Sequence, residues 1–288
     1  SVQLCRHTII LDTYQIYPVT LTLIFSPYTH NYSLQPSKPK GMKKILLPFP
    51  IIILVILTST LMAKAQQTVV FQASDGLEVT ADLYVKGTDL PYIILLHQAR
   101  YSRGEYREIA PKLVNLGYNC LAVDLRSGGE VNGVVNRTAM LAAGKRIPAE
   151  YYNAMSDVEG AIGYVKSKSD KPIVLWGSSY SASLALIAGA KNLRVTAIVA
   201  FSPGEYFDQP DFVSSKIGKL AIPVLALSSK AECQPVRELL SGVNPKLVSY
   251  YCPTDSGQHG SKALWQSNPS NGDYWMAITM FFSRLNKN

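Results

Sequence analysis

Histidine and cysteine are scarce in this sequence, with four of each among 288 residues. No pair of them has the spacing that a tetrahedral zinc site uses in proteins. The sequence therefore gives no indication of a metal site, and we predict no metal-binding residues.

A large excess of one charge is also missing from the main part of the chain. The formal net charge is +8, but residues 1–65 hold six of the 28 bases and one of the 20 acids. The rest carries only +3, and so small an excess gives no reason to expect a nucleic acid as partner. Internal repeats and low-complexity linkers are absent as well, so a single globular domain is expected after residue 65.

An apolar stretch near the start of the sequence predicts a signal peptide over 42–65. Met42 is the first methionine; two lysines follow it, and then an apolar run covers 45–57. Small residues stand at the −3 and −1 positions of a cleavage site after Ala65, as such leaders require. Residues 1–41 are interpreted as an upstream segment outside the domain, with a disordered leader as the alternative. We therefore expect export to the periplasm or the extracellular space, or membrane anchoring if the apolar run is retained.

Three cysteines follow residue 65. Cys120 lies in an apolar run, which predicts a buried thiol. Cys233 and Cys252 each follow a candidate strand, and an exported protein meets an oxidising environment. Because connectivity cannot be deduced from spacing, the sequence leaves open whether these two pair.

From Gln66 onward, short apolar runs alternate with amphipathic ones, which is typical of a parallel sheet covered by helices. Unbroken apolar runs such as 93–96 predict strands that are buried on both faces. The predicted strands are Val69 to Ala73, Val79 to Val85, Tyr92 to His97, Cys120 to Asp124, Ile173 to Trp176, Val195 to Phe201, Val224 to Leu227 and Leu247 to Tyr251. Helices are predicted over 106–116, 155–165, 182–190 and 274–285, and an irregular excursion over 127–148. The fold class is a doubly wound, mostly parallel, eight-stranded α/β domain with its site at the carboxyl ends of the strands.

The most informative segment is the passage from strand to helix around Ser179. A buried strand runs into Gly177-Ser178-Ser179-Tyr180-Ser181, and an apolar helix follows. In a nucleophile elbow, the central residue of such a pattern has strained backbone, and its side chain projects above the sheet. Ser179 has that position and Ser178 does not, so Ser179 is the predicted nucleophile. A tight turn without catalysis is the alternative.

A serine hydroxyl needs a base to take its proton, and two histidines follow residue 65. His259 lies in a Gly-Gln-His-Gly loop after the last predicted strand, where the imidazole can reach over the elbow. It is the predicted base, with a solvated loop histidine as the alternative. His97 ends the third strand and is predicted to shape the neighbouring turn or to be purely structural.

The third member of a triad orients the imidazole and compensates its charge. Glu232 follows the seventh predicted strand after a short loop, and it gives the chain order serine, acid, histidine. Glu205 and Asp255 are the other candidate acids. The alternative for Glu232 is a surface carboxylate without a catalytic role. Two backbone amides are expected to form an oxyanion hole.

The predicted oxyanion donors are the amide of Tyr180 and that of Gln98 or Ala99, in the loop after the third strand. Arg100 and Arg103 follow in the same loop. They would favour an anionic substrate, unless they are merely solvated.

Together, the strand ending in His97-Gln98, the elbow, the acid loop and the histidine loop resemble the α/β-hydrolase superfamily. The compact length without a large lid is similar to the dienelactone-hydrolase-like branch, and the resemblance covers roughly residues 69–285. It implies hydrolysis of a small-molecule carboxylic ester through an acyl-enzyme, without metal or organic cofactor. Dienelactone hydrolase itself uses a cysteine where this chain has Ser179. The alternatives are a serine peptidase and a non-catalytic binding protein on the same scaffold.

Overall fold

The computed structural model describes residues 66–192 and 194–285. The signal peptide predicted over 42–65 and the segment over 1–41 lie outside these residues, so both stay predictions. Within the described part of the chain, no helix is long and apolar enough to cross a membrane.

The eight predicted strands are confirmed, with bounds that differ by at most two residues. Numbered together with a small hairpin, the strands are β1 Gln67–Gln72, β2 Glu78–Tyr84, β3 Tyr92–Leu96, β4 Asn119–Val123, β5 Glu130–Val131, β6 Val134–Val135, β7 Ile173–Ser178, β8 Val195–Phe201, β9 Val224–Leu227 and β10 Val248–Tyr251. The order across the sheet is β1-β2-β4-β3-β7-β8-β9-β10, and β5 pairs with β6 apart from it. Within the eight-stranded sheet, β2 is antiparallel to both neighbours, and the other pairs are parallel. The loops after the parallel strands therefore meet at one edge.

Helices cover both faces of the sheet. They are α1 Ala110–Asn115, α2 Arg137–Lys145, α3 Met155–Lys168, α4 Tyr180–Lys191, α5 Ser214–Ile217, α6 Cys233–Leu239 and α7 Asn271–Leu285. Short 3-10 turns occupy Arg103–Tyr106, Tyr151–Ala154, Lys230–Glu232, Pro245–Leu247 and Ser261–Leu264.

Strand β3 shows how one sequence run builds the two core layers. All five of its side chains are buried. Ile94 and Leu96 pack in the cluster that contains the apolar residues of α3 and α4. Ile93 and Leu95 pack on the other face, with residues of α1 and α7. Because alternate side chains of a strand point to opposite faces, an unbroken apolar run is what a doubly covered strand requires.

The helix predicted over 106–116 is shorter in the structure. The chain forms a 3-10 turn over Arg103–Tyr106 and starts α1 only at Ala110. Pro111 lies in the first turn of α1, where its missing amide hydrogen does no harm. The proline therefore sets a new helix start within the apolar pattern.

The irregular excursion predicted over 127–148 is wrong, since this segment forms the β5-β6 hairpin and α2. Asn132 and Gly133 connect the two strands with positive φ angles of 52° and 70°, as in a tight hairpin turn. Asn136 caps α2 by accepting a hydrogen bond from the Ala139 amide at 2.8 Å. The hairpin strands have two residues each, too few for any periodicity to predict them.

The structure settles both questions about the cysteines. Cys233 and Cys252 form a disulfide with a Cα–Cα distance of 5.8 Å. Cys120 is a free, buried thiol, and burial raises its pKa. The disulfide joins the start of α6 to the residue after β10, and so it holds together the loops that carry Glu232 and His259.

Candidate active site

Ser179 stands between β7 and α4 with φ 61° and ψ −128°. Few non-glycine residues adopt a positive φ, because this conformation strains the backbone. A strained residue at a strand-to-helix turn is typical of a nucleophile elbow. Gly177 makes the turn possible, because a Cβ there would lie 2.3 Å from the Ala182 Cα atom. The sequence pattern thus produces a serine that is held in a strained conformation at the carboxyl edge of the sheet.

The neighbouring serines serve to hold the elbow. The Ser178 hydroxyl accepts from the Ser261 amide at 2.8 Å and donates to Glu105 Oε1 at 2.7 Å. Ser181, which replaces the usual glycine, donates from its hydroxyl to the Leu96 carbonyl at 2.8 Å and accepts from the Ser178 amide at 2.9 Å. Both hydroxyls are therefore committed, and the elbow is tied to β3.

His259 and Glu232 are brought together by the loops after β10 and β9. The His259 Nδ1 atom and the Glu232 Oε1 atom form a direct hydrogen bond. Since a carboxylate accepts this bond, Nδ1 carries the hydrogen and Nε2 is left as an acceptor. The ring therefore has the tautomer that a general base needs.

Hydrogen bonds hold Glu232 in its ionised form. Its Oε2 atom accepts from the Ser202 hydroxyl at 2.7 Å and from the Ser229 amide at 3.0 Å. Burial raises the pKa of Glu232, but the bonds from His259, Ser202 and Ser229 outweigh that effect and bring the pKa to about 2. The carboxylate is thus charged at any pH near neutrality and favours a positive imidazole.

The two rival acids are engaged elsewhere. The Glu205 carboxylate accepts from the amides of Val213 and Ser214 at 2.7 and 2.8 Å, at the start of α5. Asp255 accepts from the Ser270 hydroxyl. Glu232 is therefore the acid that the structure brings to His259.

The two residues after His259 anchor its loop to Ser202 and to the elbow. The Gly260 amide donates to the Ser202 hydroxyl at 3.0 Å, and the Ser261 amide donates to Ser178. Within the described residues, no direct hydrogen bond joins Ser179 to His259. Catalytic hydrogen bonds are often long or poorly aligned when no substrate is bound, so the lack of a direct bond leaves His259 as the candidate base.

Tyr206 lies directly against Ser179. Its hydroxyl donates to the Ser202 carbonyl at 2.8 Å. Burial raises the pKa of Tyr206, and a hydrogen-bonding contact with the Ser179 hydroxyl lowers it in part. Neither Tyr206 nor Ser202 was predicted from the sequence; each follows a strand but shows no pattern that marks it.

The amides proposed for an oxyanion hole differ in availability. Tyr180 is the first residue of α4, and the first amides of a helix have no partner within it. The Gln98 amide, in contrast, donates to Glu105 Oε2 at 2.8 Å. Of the two predicted candidates in the loop after β3, Ala99 is therefore the one that is not committed to Glu105.

Glu105 is the main site residue that the sequence did not reveal. Its carboxyl group is fully buried and accepts from the Gln98 amide and the Ser178 hydroxyl. Burial raises its pKa to about 7, although these two hydrogen bonds lower it in part. In the sequence, Glu105 stands among arginines and near Glu108, a composition that is typical of a solvated turn.

His97 is a structural residue. Its Nε2 atom accepts from the Leu125 amide at 2.8 Å, and its Nδ1 atom lies 2.8 Å from the Gln98 carbonyl. Burial lowers the pKa of His97 to about 4, so the ring is neutral near pH 7. It therefore fixes the turn after β3, and both of its ring nitrogens are engaged in that role.

Arg103 does not face the mouth of the site. It is buried and pairs with Asp82 at 3.0 Å and with Asp124 at 2.6 Å. Arg100 is exposed with a φ of 65°. The expectation that Arg103 would favour an anionic substrate is therefore wrong, because both neighbouring carboxylates already neutralise it.

Solved structures with the same fold are found among esterases and dienelactone hydrolases. An esterase from Pyrococcus furiosus has a TM-score of 0.60 at 18% identity, covering 76% of this chain and 91% of its own. A dienelactone hydrolase from Anabaena variabilis has a TM-score of 0.58 at 15% identity, with coverages of 76% and 98%. An α/β hydrolase from a Penicillium species has a TM-score of 0.59 at 12% identity, with coverages of 76% and 98%. Neither a protein-family model nor a curated protein sequence matches the chain.

The chain therefore has the α/β-hydrolase fold in its dienelactone-hydrolase-like form, as predicted. At these identities the likeness shows the fold and leaves the chemistry to be argued from the site. Among residues 66–192 and 194–285, no group of three His, Cys, Asp or Glu side chains is placed to hold a metal ion.

Proposed function

We propose that this protein is a serine hydrolase that cleaves a carboxylic ester through Ser179, His259 and Glu232. The observation that carries the proposal is the bond between His259 Nδ1 and Glu232, which leaves Nε2 as an acceptor. The strained backbone of Ser179 at the strand-to-helix turn supports the same assignment. The esterase and the dienelactone hydrolase that share the fold also support the proposal.

In this mechanism, His259 Nε2 takes the proton of the Ser179 hydroxyl as the oxygen attacks the ester carbonyl. The resulting imidazolium is stabilised by Glu232, and it returns the proton to the departing alcohol. Water then attacks the acyl-enzyme with His259 again as base, which releases the carboxylic acid and restores Ser179.

The negative charge that develops on the carbonyl oxygen needs donors that are already in place. The amides of Tyr180 and Ala99 are proposed for this role. The Gln98 amide is left out, because Glu105 accepts its hydrogen bond. Removing one such donor typically costs about 3 kcal/mol of transition-state stabilisation.

The experiment that tests the proposal is labelling with a fluorophosphonate probe, followed by peptide mass spectrometry. We expect the label on Ser179 in the native protein and none in Ser179→Ala. Ser167→Ala is the control, because it removes an exposed hydroxyl in the last turn of α3 and should leave Ser179 reactive. A protein that takes no label and ignores short nitrophenyl esters would instead be a binding protein on this scaffold.

We also propose that the domain is exported after cleavage behind Ala65. The disulfide between Cys233 and Cys252 supports this proposal, since such bonds persist in oxidising compartments. The intact mass of the exported protein tests it: a chain that begins at Gln66 is expected, and a retained apolar run would contradict cleavage.

A further inference from the structure

A cavity of about 620 Å³ opens beside the candidate site. Its walls come from α2, from the 3-10 turn Tyr151–Ala154 and from the loop after β8. This volume lies within the range of roughly 300–1,000 Å³ that is usual for small-molecule sites. The cavity is therefore large enough for a ring system, and an acetyl group would leave most of it empty.

Two tyrosines connect this cavity to the reacting atoms. Tyr206 lines the cavity, and its hydroxyl contacts that of Ser179. Tyr151 also lines it, and its ring stacks on the ring of Tyr180 with centroids 4.6 Å apart and an angle of 22°. An ester held at Ser179 can therefore extend one of its two groups into the cavity.

The cavity has an ordered aromatic wall. Phe207 and Tyr152 line it and meet edge to face, with centroids 5.4 Å apart. Phe212 supports both rings at 5.3 and 4.9 Å. Ala139 and Ala143 of α2 also line the cavity and leave its space open. Fixed aromatic faces and small side chains in one cavity suit a planar aromatic group.

The charges at the cavity disfavour an anion. Among the described residues that line it, Arg126 is the only base. Its guanidinium is already bound to Asp157 and Asp75, with shortest distances of 2.8 and 2.6 Å. Glu150 and Asp208 line the cavity as exposed carboxylates. A substrate carboxylate would thus meet two like charges and no free cation.

We infer that this cavity binds an uncharged aromatic group of the ester substrate. The inference rests on the proposed function, because it names the substrate class of the same site. This preference would distinguish the protein from a hydrolase that recognises its ester through a carboxylate group of the substrate.

Two aryl esters of equal size test the charge preference. 6-Carbamoyl-2-naphthyl acetate and 6-carboxy-2-naphthyl acetate differ in one charge at the far end of the ring system. We expect kcat/KM to be at least about tenfold higher for the neutral ester. Equal or faster turnover of the carboxylate ester would overturn the inference.

A cavity-filling variant tests the location. In Ala139→Trp, the ratio of kcat/KM for the neutral naphthyl ester to that for ethyl acetate should fall at least about tenfold. Ala221→Trp is the matched control: Ala221 is exposed, lies before β9 away from the cavity, and should keep the native ratio. An unchanged ratio in Ala139→Trp would overturn the location.

Binding of the neutral aromatic product distinguishes the two possible failures. If Ser179 takes no fluorophosphonate label, the proposed function fails, and calorimetry with 6-carbamoyl-2-naphthol still tests the cavity. Binding that is present in the native protein and lost in Ala139→Trp, with thermal unfolding unchanged, supports the cavity as an aromatic site. Absence of binding to the native protein overturns it.

Discussion

The Ser178 hydroxyl donates a hydrogen bond of 2.7 Å to the fully buried carboxyl group of Glu105. The other oxygen of Glu105 accepts from the Gln98 amide at 2.8 Å. Ser178 in turn accepts from the Ser261 amide at 2.8 Å. The Glu105 carboxyl group therefore links the loop after β3 to the elbow, and the Ser178 hydroxyl extends this link to the histidine loop.

Glu105→Ala should destabilise the protein strongly, because it leaves a buried hydroxyl and a buried amide without their acceptor. Each unsatisfied group costs about 1–3 kcal/mol, so a loss of about 3 kcal/mol in the free energy of unfolding is expected. Urea denaturation measures it. Glu108→Ala is the control: Glu108 is exposed and accepts one surface bond from the Gln266 amide, so its loss should cost well under about 1 kcal/mol.

The raised pKa of Glu105 predicts a specific pH dependence of stability. In the unfolded chain the group ionises near 4.5, and in the folded protein burial raises its pKa to about 7. The folded state therefore holds more protons between these values. The stability from this group is fully present below about pH 4.5 and is lost as pH rises through 7.

Comparison with Glu105→Gln isolates this effect. The native protein should lose roughly 3 kcal/mol of unfolding free energy relative to the variant between pH 4.5 and 7.5. His97 titrates in the same window with the opposite sign, since burial lowers its pKa to about 4; it is present in both proteins and cancels. A flat difference between the two proteins would show that Glu105 is ionised throughout.

The acid of the proposed triad is tested by two matched amides. In Glu232→Gln the side-chain amide cannot compensate an imidazolium, so kcat for a short nitrophenyl ester should fall by about 10⁴-fold, as for the acid of other triads. Glu205→Gln should leave kcat within about twofold, since Glu205 binds amides at the start of α5. A larger loss in Glu205→Gln than in Glu232→Gln would reverse the assignment.

The parts of this fold that the sequence predicted share a local cause. β3 and β7 are unbroken apolar runs, and such runs specify buried strands without reference to the rest of the chain. Ser179 is marked by Gly177 and Ser181, two positions to either side of it, because a tight turn excludes larger side chains there. The positions of Glu232 and His259 after successive strands follow from the order of a parallel sheet.

The parts that the sequence missed depend on contacts between distant segments. Arg103 and Glu105 stand in a short charged stretch that is typical of solvent exposure, yet both are buried. Arg103 is neutralised by Asp82, which lies in β2, and by Asp124, which directly follows β4. Charge pairing across a fold leaves no periodicity in the sequence, so no local pattern predicts it.

The disulfide should contribute measurably to stability. It closes a loop between cysteines 19 residues apart, for which chain entropy predicts about 3 kcal/mol. Cys233→Ser combined with Cys252→Ser should lose this amount, and a reductant should lower the stability of the native protein in the same way. Cys120→Ala should respond to the reductant as the native protein does, because the Cys120 thiol is unpaired. Insensitivity of the native protein to reductant would contradict the bond.

Gly260 is the position where one methyl group should disrupt the site. It has a φ of 73°, and a Cβ there would lie 2.6 Å from Gln98 Oε1 and 2.7 Å from Ser178 Oγ. Gly260→Ala is therefore strained in its backbone and must displace the loop that carries His259. We expect a loss of about 2 kcal/mol in unfolding free energy and at least a tenfold loss in kcat.

Gly163→Ala provides the matched control for that substitution. Gly163 lies in α3, has an ordinary φ, and has no atom within 4 Å of the added Cβ. Alanine there should stabilise the helix by about 0.5–1 kcal/mol and leave kcat unchanged. A Gly260→Ala variant as stable and active as Gly163→Ala would contradict this prediction. The histidine loop would then have to lie further from the elbow than the Ser261–Ser178 bond allows. In that case, proton transfer from Ser179 to His259 would lose its structural basis.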